Sequence, residues 1–226
     1  MNTLFVTSSG TDVGKTEVCC RLIRELDGSM PLRVVKPVAS GFDPAEPEAS
    51  DAARLLSAQG LAVDAAAIDA VSPWRFRAPL SPDMAAAREG KQIPFDALIE
   101  FSAAADPGTL TLIEGIGGVM VPLDDRHTVL DWIAALDTWV LLVVGSYLGS
   151  LSHTLTALGM LRQRATRIAG IVVSESPVQP VPAAETAATI ARFVPELRIA
   201  VLARAAPPAA HRKIIQPLLR GKLDFG

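Results

Sequence analysis

The sequence has few of the residues that build disulfide, zinc or membrane proteins. Its two cysteines, Cys19 and Cys20, are adjacent, so they supply neither a disulfide framework nor a zinc motif. The three histidines stand apart from one another, which leaves a zinc or histidine-nucleophile mechanism unsupported. No apolar run approaches the roughly 20 residues of a membrane span, and the N-terminus lacks a signal-peptide pattern. We therefore expect a soluble protein of the reducing cytoplasm.

An excess of one charge is also missing. The formal net charge is −3, with 20% charged and 50% hydrophobic residues. Such a chain lacks the excess of positive charge that binds nucleic acid or an anionic membrane, and it is too apolar to be disordered. The length of 226 residues suits one domain, residues 1–226, whose ligand we expect to be small.

Short apolar segments alternate with amphipathic ones along most of the chain. Strands are predicted at residues 3–7, 33–38, 109–114, 139–144, 167–173 and 197–202. Helices are predicted through Val18, Leu22 and Leu26, and at residues 51–58, 129–135, 151–164 and 183–193. This order predicts an α/β fold with a doubly wound, mostly parallel sheet covered by helices on both faces. Residues 69–94, rich in Pro and Arg, are expected to be irregular and to line a site.

A glycine-rich turn, SSGTDVGKT at residues 8–16, follows the first strand. Gly14 allows a tight turn, the amides of residues 12–16 form a nest for phosphate oxygens, and the helix start adds partial positive charge. Lys15 is positioned to neutralise the β- and γ-phosphates and the Thr16 hydroxyl to bind Mg²⁺, as in a P-loop, although Ser9 replaces the usual glycine. The alternative is an ordinary turn with a solvated lysine.

Polar residues also follow the second strand. Lys36 lies at its carboxyl end, where a fixed cation would meet phosphate or developing negative charge, although a surface lysine is the alternative. Ser40 and Gly41 form an open loop suited to donating hydrogen bonds to a substrate oxyanion. Ser50 and Asp51 open a helix and suggest an N-cap, while the Asp51 carboxylate could equally turn towards Mg²⁺.

The next two strands end in further candidate site residues. Glu114 ends an apolar strand before a glycine-rich turn, and because a buried carboxylate without a cation is costly, we expect Mg²⁺ as its partner. Gly149 and Ser150 start a later helix, which fits an anion site for a carboxylate or a simple helix cap.

Sequence blocks in this order resemble the dethiobiotin synthetase family of P-loop NTPases: FVTSSGTDVGKT, VVKPVASG, APLSPDMAAAREGKQI, LIEGIGGVMVPL, LLVVGSYLGSLSHT and AGIVVSES. The resemblance covers nearly the whole chain. It implies ATP- and Mg²⁺-dependent carboxylation of 7,8-diaminononanoate with CO₂, followed by ring closure to dethiobiotin, ADP and phosphate. The implied intermediates are a carbamate and a carbamic-phosphoric anhydride, and the implied enzyme is a homodimer with its diamine site at the interface.

The resemblance also implies residue roles. Thr11, Lys15, Lys36 and Ser40 would surround the carbamate and γ-phosphate, and Thr16, Asp51 and Glu114 would hold Mg²⁺. Gly149 and Ser150 would bind the substrate carboxylate from the partner subunit. The remaining nucleotide contacts would come from Asp12, Val13, Gly14, Glu17, Gly115, Ile116, Gly117, Ser174, Glu175, Leu202 and Ala203.

One departure from the family pattern bears on specificity. Ser174 and Glu175 stand where the family has Asn and Asp for base selection, so we expect looser selection of adenine.

Two other functions share the same predicted fold. A nucleotide-gated switch or metallochaperone should show an NKxD motif, a DxxG switch or Cys/His metal ligands, and the sequence has none of them. A cobyrinate-type amidoligase should carry a glutaminase domain, for which 226 residues leave no room.

Overall fold

A parallel sheet forms the centre of the computed structural model, which describes residues 2–104, 106–164, 166–204 and 213–223. Within these ranges the sheet has six strands, β1 (Thr3–Ser8), β2 (Leu32–Val35), β5 (Leu110–Glu114), β6 (Trp139–Gly145), β7 (Arg167–Ser174) and β8 (Ile199–Leu202). They pair in the order β2-β5-β1-β6-β7-β8. A second, two-stranded parallel sheet pairs β3 (Val38–Ser40) with β4 (Trp74–Phe76).

Helices follow most of the strands. They are α1 (Lys15–Leu26), α2 (Asp51–Ala58), α3 (Ala65–Val71), α4 (Pro82–Arg88), α5 (Phe95–Ala103), α6 (Val129–Leu136), α7 (Ser150–Gln163) and α8 (Ala183–Phe193). Short 3₁₀ helices lie at Pro47–Ala49 and Gln216–Leu219. In the described ranges no helix has the length and apolarity to cross a membrane.

The central strand β1 shows how the sheet is covered on both faces. All six of its residues are buried. Phe5 points into one core, where its ring meets the Trp132 ring of α6 edge to face at 4.7 Å. Leu4 and Val6 point into the opposite core together with Leu22 of α1. Because successive side chains of a strand alternate between faces, two helical layers are needed to bury them, which confirms the predicted doubly wound α/β fold.

Three predictions about local structure are wrong, one of which places Ser40 in an open loop although it is the last residue of β3. The strand predicted at residues 33–38 ends at Val35, and the chain joins the small sheet at Val38. Pro37 lies at this break because it has no N–H for a sheet ladder, while its carbonyl accepts from the Trp74 N–H at 3.0 Å. The segment 69–94 is not irregular throughout, since it contains the end of α3, β4 and α4.

Candidate active site

A cavity of about 930 Å³ opens at the carboxyl ends of the strands, where doubly wound sheets bind their ligands. Most of the predicted site residues line it: Thr11, Asp12, Gly14, Lys15, Thr16, Glu17, Lys36, Ser40, Asp51, Glu114, Ile116, Gly117, Ser174, Glu175, Leu202 and Ala203. These residues come from the ends of β3, β5, β7 and β8, from the loops that follow β1, β2, β5, β7 and β8, and from the starts of α1 and α2.

The turn from β1 into α1 depends on Gly14. Its φ is +92°, and a Cβ there would lie 2.5 Å from the Ser174 Oγ, so both the conformation and the close approach require glycine. Lys15 and Thr16 begin α1. The N–H groups of a first helical turn have no partner within their helix, so this turn is suited to phosphate oxygens.

The Lys15 side chain folds back across the turn. Its Nζ donates to the Gly117 carbonyl at 2.9 Å and to the Ser8 Oγ at 3.1 Å. Burial, together with the nearby Lys36 ammonium, lowers the pKa of Lys15 to about 8. Both acceptors are neutral, so an anionic phosphate entering the turn would be a stronger partner for this ammonium.

Lys36 lies at the centre of a buried charged cluster. Its Nζ donates to the Glu114 Oε1 at 2.7 Å and lies 3.2 Å from the Asp51 Oδ2. The Thr16 hydroxyl donates to the same Glu114 oxygen at 2.7 Å. Burial lowers the pKa of Lys36, but Glu114 and Asp51 outweigh that effect and raise it, so the side chain is charged at neutral pH. The structure therefore gives Glu114 a protein cation as partner, where the sequence suggested only Mg²⁺.

Asp51 is held by the same cluster. Burial raises the pKa of its carboxyl group, but Lys36 and Thr16 outweigh this effect and lower it. The N-cap of α2 is Ser50, whose Oγ accepts from the Ala53 N–H at 3.2 Å. The capping interpretation therefore applies to Ser50, and the Asp51 carboxylate is directed into the site.

The oxygen atoms of this cluster fit a magnesium ion. Glu114 Oε2 is buried and has no hydrogen-bond partner within the described ranges. Thr16 and Asp51 bring further hard oxygens to the same place. The described residues contain no group of three or more His, Cys, Asp or Glu side chains that could enclose a metal. This open donor set matches Mg²⁺, which usually binds one or two carboxylates and completes its shell with water and phosphate oxygens.

Ser40 faces the cavity next to a wall formed by residues 79–82. Its Oγ is buried without a hydrogen-bond partner among the described residues. The wall belongs to the segment 69–94, so part of that segment lines the cavity as the sequence suggested. An unsatisfied buried hydroxyl is costly, which makes Ser40 ready to bond an entering ligand.

The Glu175 carboxylate is occupied by other parts of the protein. It accepts from the Gln179 Nε2 at 2.7 Å and from the Arg204 N–H at 2.8 Å. The Glu175 N–H donates to the Leu202 carbonyl at 2.9 Å. Glu175 therefore fixes the segment after β8, while the Ser174 hydroxyl packs against the phosphate turn.

Four predicted residues lie outside the cavity wall. Val13 is buried in the core beneath α1. Gly115 lies against β1, where its N–H donates to the Val6 carbonyl at 2.9 Å. Gly149 and Ser150 start α7; Ser150 is buried and donates its N–H to a neighbouring carbonyl. Gly149 and Ser150 are therefore not part of this cavity, and their role in binding a carboxylate stays a prediction.

Several arginines of the cavity wall were missed by the sequence analysis: Arg21, Arg24, Arg54 and Arg204. Arg21 and Arg24 follow Glu17 by four and seven residues, which places all three on one face of α1. This spacing was visible in the sequence and could have identified them. Arg54 pairs with Glu17 at 2.9 Å, a contact that joins α2 to α1.

Known proteins share a large part of this sequence. A family model described as "AAA domain" matches residues 2–207. ATP-dependent dethiobiotin synthetase BioD of Acidiphilium cryptum (strain JF-5) is 49% identical over 86% of this chain and 89% of its own. The protein of that name from Methylobacterium nodulans is 48% identical over 90% and 94%, and that from Anaeromyxobacter dehalogenans (strain 2CP-C) is 36% identical over both whole chains.

Solved structures share the fold at low identity. A ParA family ATPase from Chlorobium tepidum TLS has a TM-score of 0.53 at 13% identity, over 92% of this chain and 85% of its own. Cyanthece apo McdA has a TM-score of 0.52 at 15% identity, over 99% and 91%. At these identities the likeness concerns the fold alone. By its sequence relatives, the chain belongs to the family of ATP-dependent dethiobiotin synthetases, which are ligases of biotin biosynthesis.

Proposed function

We propose that this chain converts 7,8-diaminononanoate, CO₂ and ATP into dethiobiotin, ADP and phosphate. The observation that carries the proposal is the buried cluster of Lys36, Glu114, Asp51 and Thr16 beside the phosphate turn. Phosphoryl transfer needs mainly positioning and charge neutralisation, which this cluster and Lys15 are arranged to supply. Family membership supports the choice of substrate.

ATP binds in this proposal along the wall of the cavity. The turn at Gly14 and the start of α1 receive the β- and γ-phosphates, and Lys15 exchanges its neutral acceptors for phosphate oxygens. Thr16, Asp51 and Glu114 hold Mg²⁺, which neutralises charge on the phosphates when bound. The base lies towards Ser174 and residues 202–203.

The reaction then proceeds in three steps. One amine of the substrate adds to CO₂, forming a C–N bond and losing a proton, to give a carbamate. A carbamate oxygen attacks the γ-phosphorus while the bond from that phosphorus to the bridging oxygen of ADP breaks. The second amine attacks the carbonyl carbon of the resulting anhydride, loses a proton, and closes the ureido ring as phosphate leaves.

Three side chains of the cavity assist these steps. The Lys36 ammonium stabilises the negative charge on the carbamate and on the transferring phosphoryl group. The Ser40 hydroxyl, which has no hydrogen-bond partner in the described structure, donates to a carbamate oxygen. Thr11 lines the cavity beside the phosphate turn and contributes a further hydroxyl.

The active enzyme in this proposal is a homodimer with its diamine site at the interface. Gly149 and Ser150 of one subunit bind the carboxylate of the substrate that lies in the active site of the other subunit. The support is the apolar surface at the same helix start. Leu148 is 86% exposed and Leu151 is 38% exposed. A Leu148→Asp variant should sediment as a monomer and lose turnover, and a variant that remains a dimer with full activity would contradict this part of the proposal.

We also propose that the enzyme works in the cytoplasm. The proposal rests on cysteine usage in the sequence, which has two adjacent cysteines and no disulfide framework of the kind that secreted proteins use.

Isotope labelling tests the proposed reaction directly. The protein is incubated with ATP, Mg²⁺, the diamine and labelled bicarbonate, and the product is analysed by mass spectrometry. The proposal predicts dethiobiotin with one labelled carbon, in its ureido carbonyl. A catalytically competent preparation that hydrolyses ATP and leaves the diamine unchanged would contradict it.

A further inference from the structure

Glu25 is a buried carboxylate that the proposed reaction does not use. It lies on α1, its side chain is 4% exposed, and it is absent from the cavity wall. Its Oε1 accepts from the Arg21 Nε at 3.0 Å and from the Ile214 N–H at 2.9 Å. Its Oε2 accepts from the N–H groups of Ile215 and Gln216, each at 2.9 Å.

Three of these four hydrogen bonds join parts of the chain that are distant in sequence. The three backbone donors lie 189 to 191 residues after Glu25, at the start of the 3₁₀ helix Gln216–Leu219. A carboxylate that accepts several charge-assisted hydrogen bonds is held in one position, and it holds its donors in turn. Glu25 therefore fixes the C-terminal segment 214–216 to the helix that begins at the phosphate turn.

Arg21 connects this anchor to the cavity. Its guanidinium group bonds to Glu25 one helical turn away, and its side chain, 13% exposed, lines the cavity. Arg21 thus brings a fixed positive charge to the site proposed for an anionic nucleotide. An arginine held by a buried partner loses less conformational entropy on binding than a mobile one.

A different carboxylate holds the base end of the cavity. Arg204 lines the cavity, and its N–H donates to Glu175 at 2.8 Å. The effect of Glu25 on the cavity is therefore argued through Arg21.

We infer that Glu25 is a positioning residue for nucleotide binding that acts through Arg21, while the amides of segment 214–216 hold the Glu25 carboxylate in place. The inference rests on the proposed nucleotide site but not on the identity of the second substrate. Glu25 makes no contact with the nucleotide in this arrangement. Its loss should weaken ATP binding and leave the chemical step unchanged.

The primary experiment measures ATP affinity by calorimetry without diamine, and steady-state kinetics with it. Glu25→Gln keeps the size of the side chain but turns an NH₂ group towards N–H donors. Because coupling between separate sites typically changes affinity by about 5- to 150-fold, the Kd for ATP should rise by at least about fivefold. The kcat at saturating ATP and the KM for the diamine should change by less than about twofold.

Two further variants separate positioning from folding. Arg21→Gln leaves the backbone anchor of Glu25 intact and should raise the Kd for ATP by at least about threefold. When Glu25→Gln and Arg21→Gln are combined, the fold-increase in the Kd for ATP should be smaller than the product of the two single increases, because both changes remove the same contact. Glu196→Gln is the matched control, since it removes an exposed pair with Arg162 and should leave ATP affinity unchanged.

Hydrogen exchange gives a readout without mutation. Nucleotide binding should slow exchange at the amides of residues 214–216 in the wild-type protein, because reciprocal coupling links the two sites.

Unchanged ATP affinity in a folded Glu25→Gln variant would overturn the inference. If that variant does not fold, unchanged affinity in Arg21→Gln overturns it instead. A folded wild-type protein that binds no ATP would refute the proposed function itself, and this inference with it.

Discussion

Replacing Lys36 with methionine separates the two effects of its charge. The substitution keeps an unbranched apolar stem and removes the ammonium group that lies 2.7 Å from Glu114 and 3.2 Å from Asp51. The charge stabilises the folded protein by pairing with a carboxylate that is fully buried. In the proposed reaction it also stabilises negative charge on the transferring phosphoryl group.

The structure allows both magnitudes to be estimated. Breaking a buried pair by removing one partner costs about 3–5 kcal/mol of folding stability, because Glu114 is left without its cation. The pair with Asp51 adds less, since that side chain is 40% exposed. Removing a group that stabilises charge in the transition state costs about 2.7–4 kcal/mol, which lowers kcat by about 10²- to 10³-fold.

The assay combines urea denaturation, ATP affinity and steady-state kinetics. Lys36→Met should lose stability and turnover while the Kd for ATP changes by less than about fivefold, because Lys15 and the start of α1 remain. Adding Glu114→Gln should restore part of the stability and none of the turnover. Lys91→Met, which removes an exposed lysine paired with Glu89, is the control and should change neither property. A loss of ATP affinity equal to the loss of kcat would refute this reasoning and would show that Lys36 acts only in binding the nucleotide.

Three other predictions concern the metal, the base and the thiols. Glu114→Gln and Asp51→Asn should each raise the Mg²⁺ concentration that gives half-maximal activity, since an amide replaces a charged hard oxygen; an unchanged titration for Asp51→Asn would exclude that carboxylate from the metal site. The wild-type enzyme should accept CTP or GTP at a kcat/KM closer to its value for ATP than a family member with Asn at this position would, and Ser174→Asn should sharpen the preference for ATP, because a hydroxyl can both donate and accept. A strict ATP preference in both proteins would show that the base is read elsewhere. Burial raises the pKa of the Cys19 thiol, and it raises the pKa of Cys20 to about 11. Iodoacetamide at pH 8 should therefore label the folded protein far more slowly than the urea-unfolded protein, and labelling of the folded protein should become faster towards pH 11. Equal labelling rates for the two forms at pH 8 would contradict the buried positions of the thiols.

The sheet could be predicted because its signal is local. Segments such as LTLIE and WVLLVV are almost continuously apolar, and only strands covered on both faces need that composition. The small second sheet carries no comparable signal. Its strands have three residues each, and the pairing of Val38 with Trp74 depends on the tertiary fold.

The site was predictable to the same extent. The turn at Gly14 and the charged ends of β2 and β5 could be identified because each lies directly after an apolar strand. The pairing of Lys36 with Glu114 could not, since 78 residues separate them and the sequence gives only the cost of an unpaired carboxylate. The role of Glu25 could not be predicted for the same reason, because its backbone donors are about 190 residues away and have no characteristic side chain.

Phosphate release from ATP tests the proposed reaction most directly. The rate is measured with Mg²⁺ in four mixtures, with and without 7,8-diaminononanoate and with and without bicarbonate. Because the carbamate is the phosphoryl acceptor, release should require both compounds and should match dethiobiotin formation mole for mole. Release at the same rate without the diamine would contradict the ligase function.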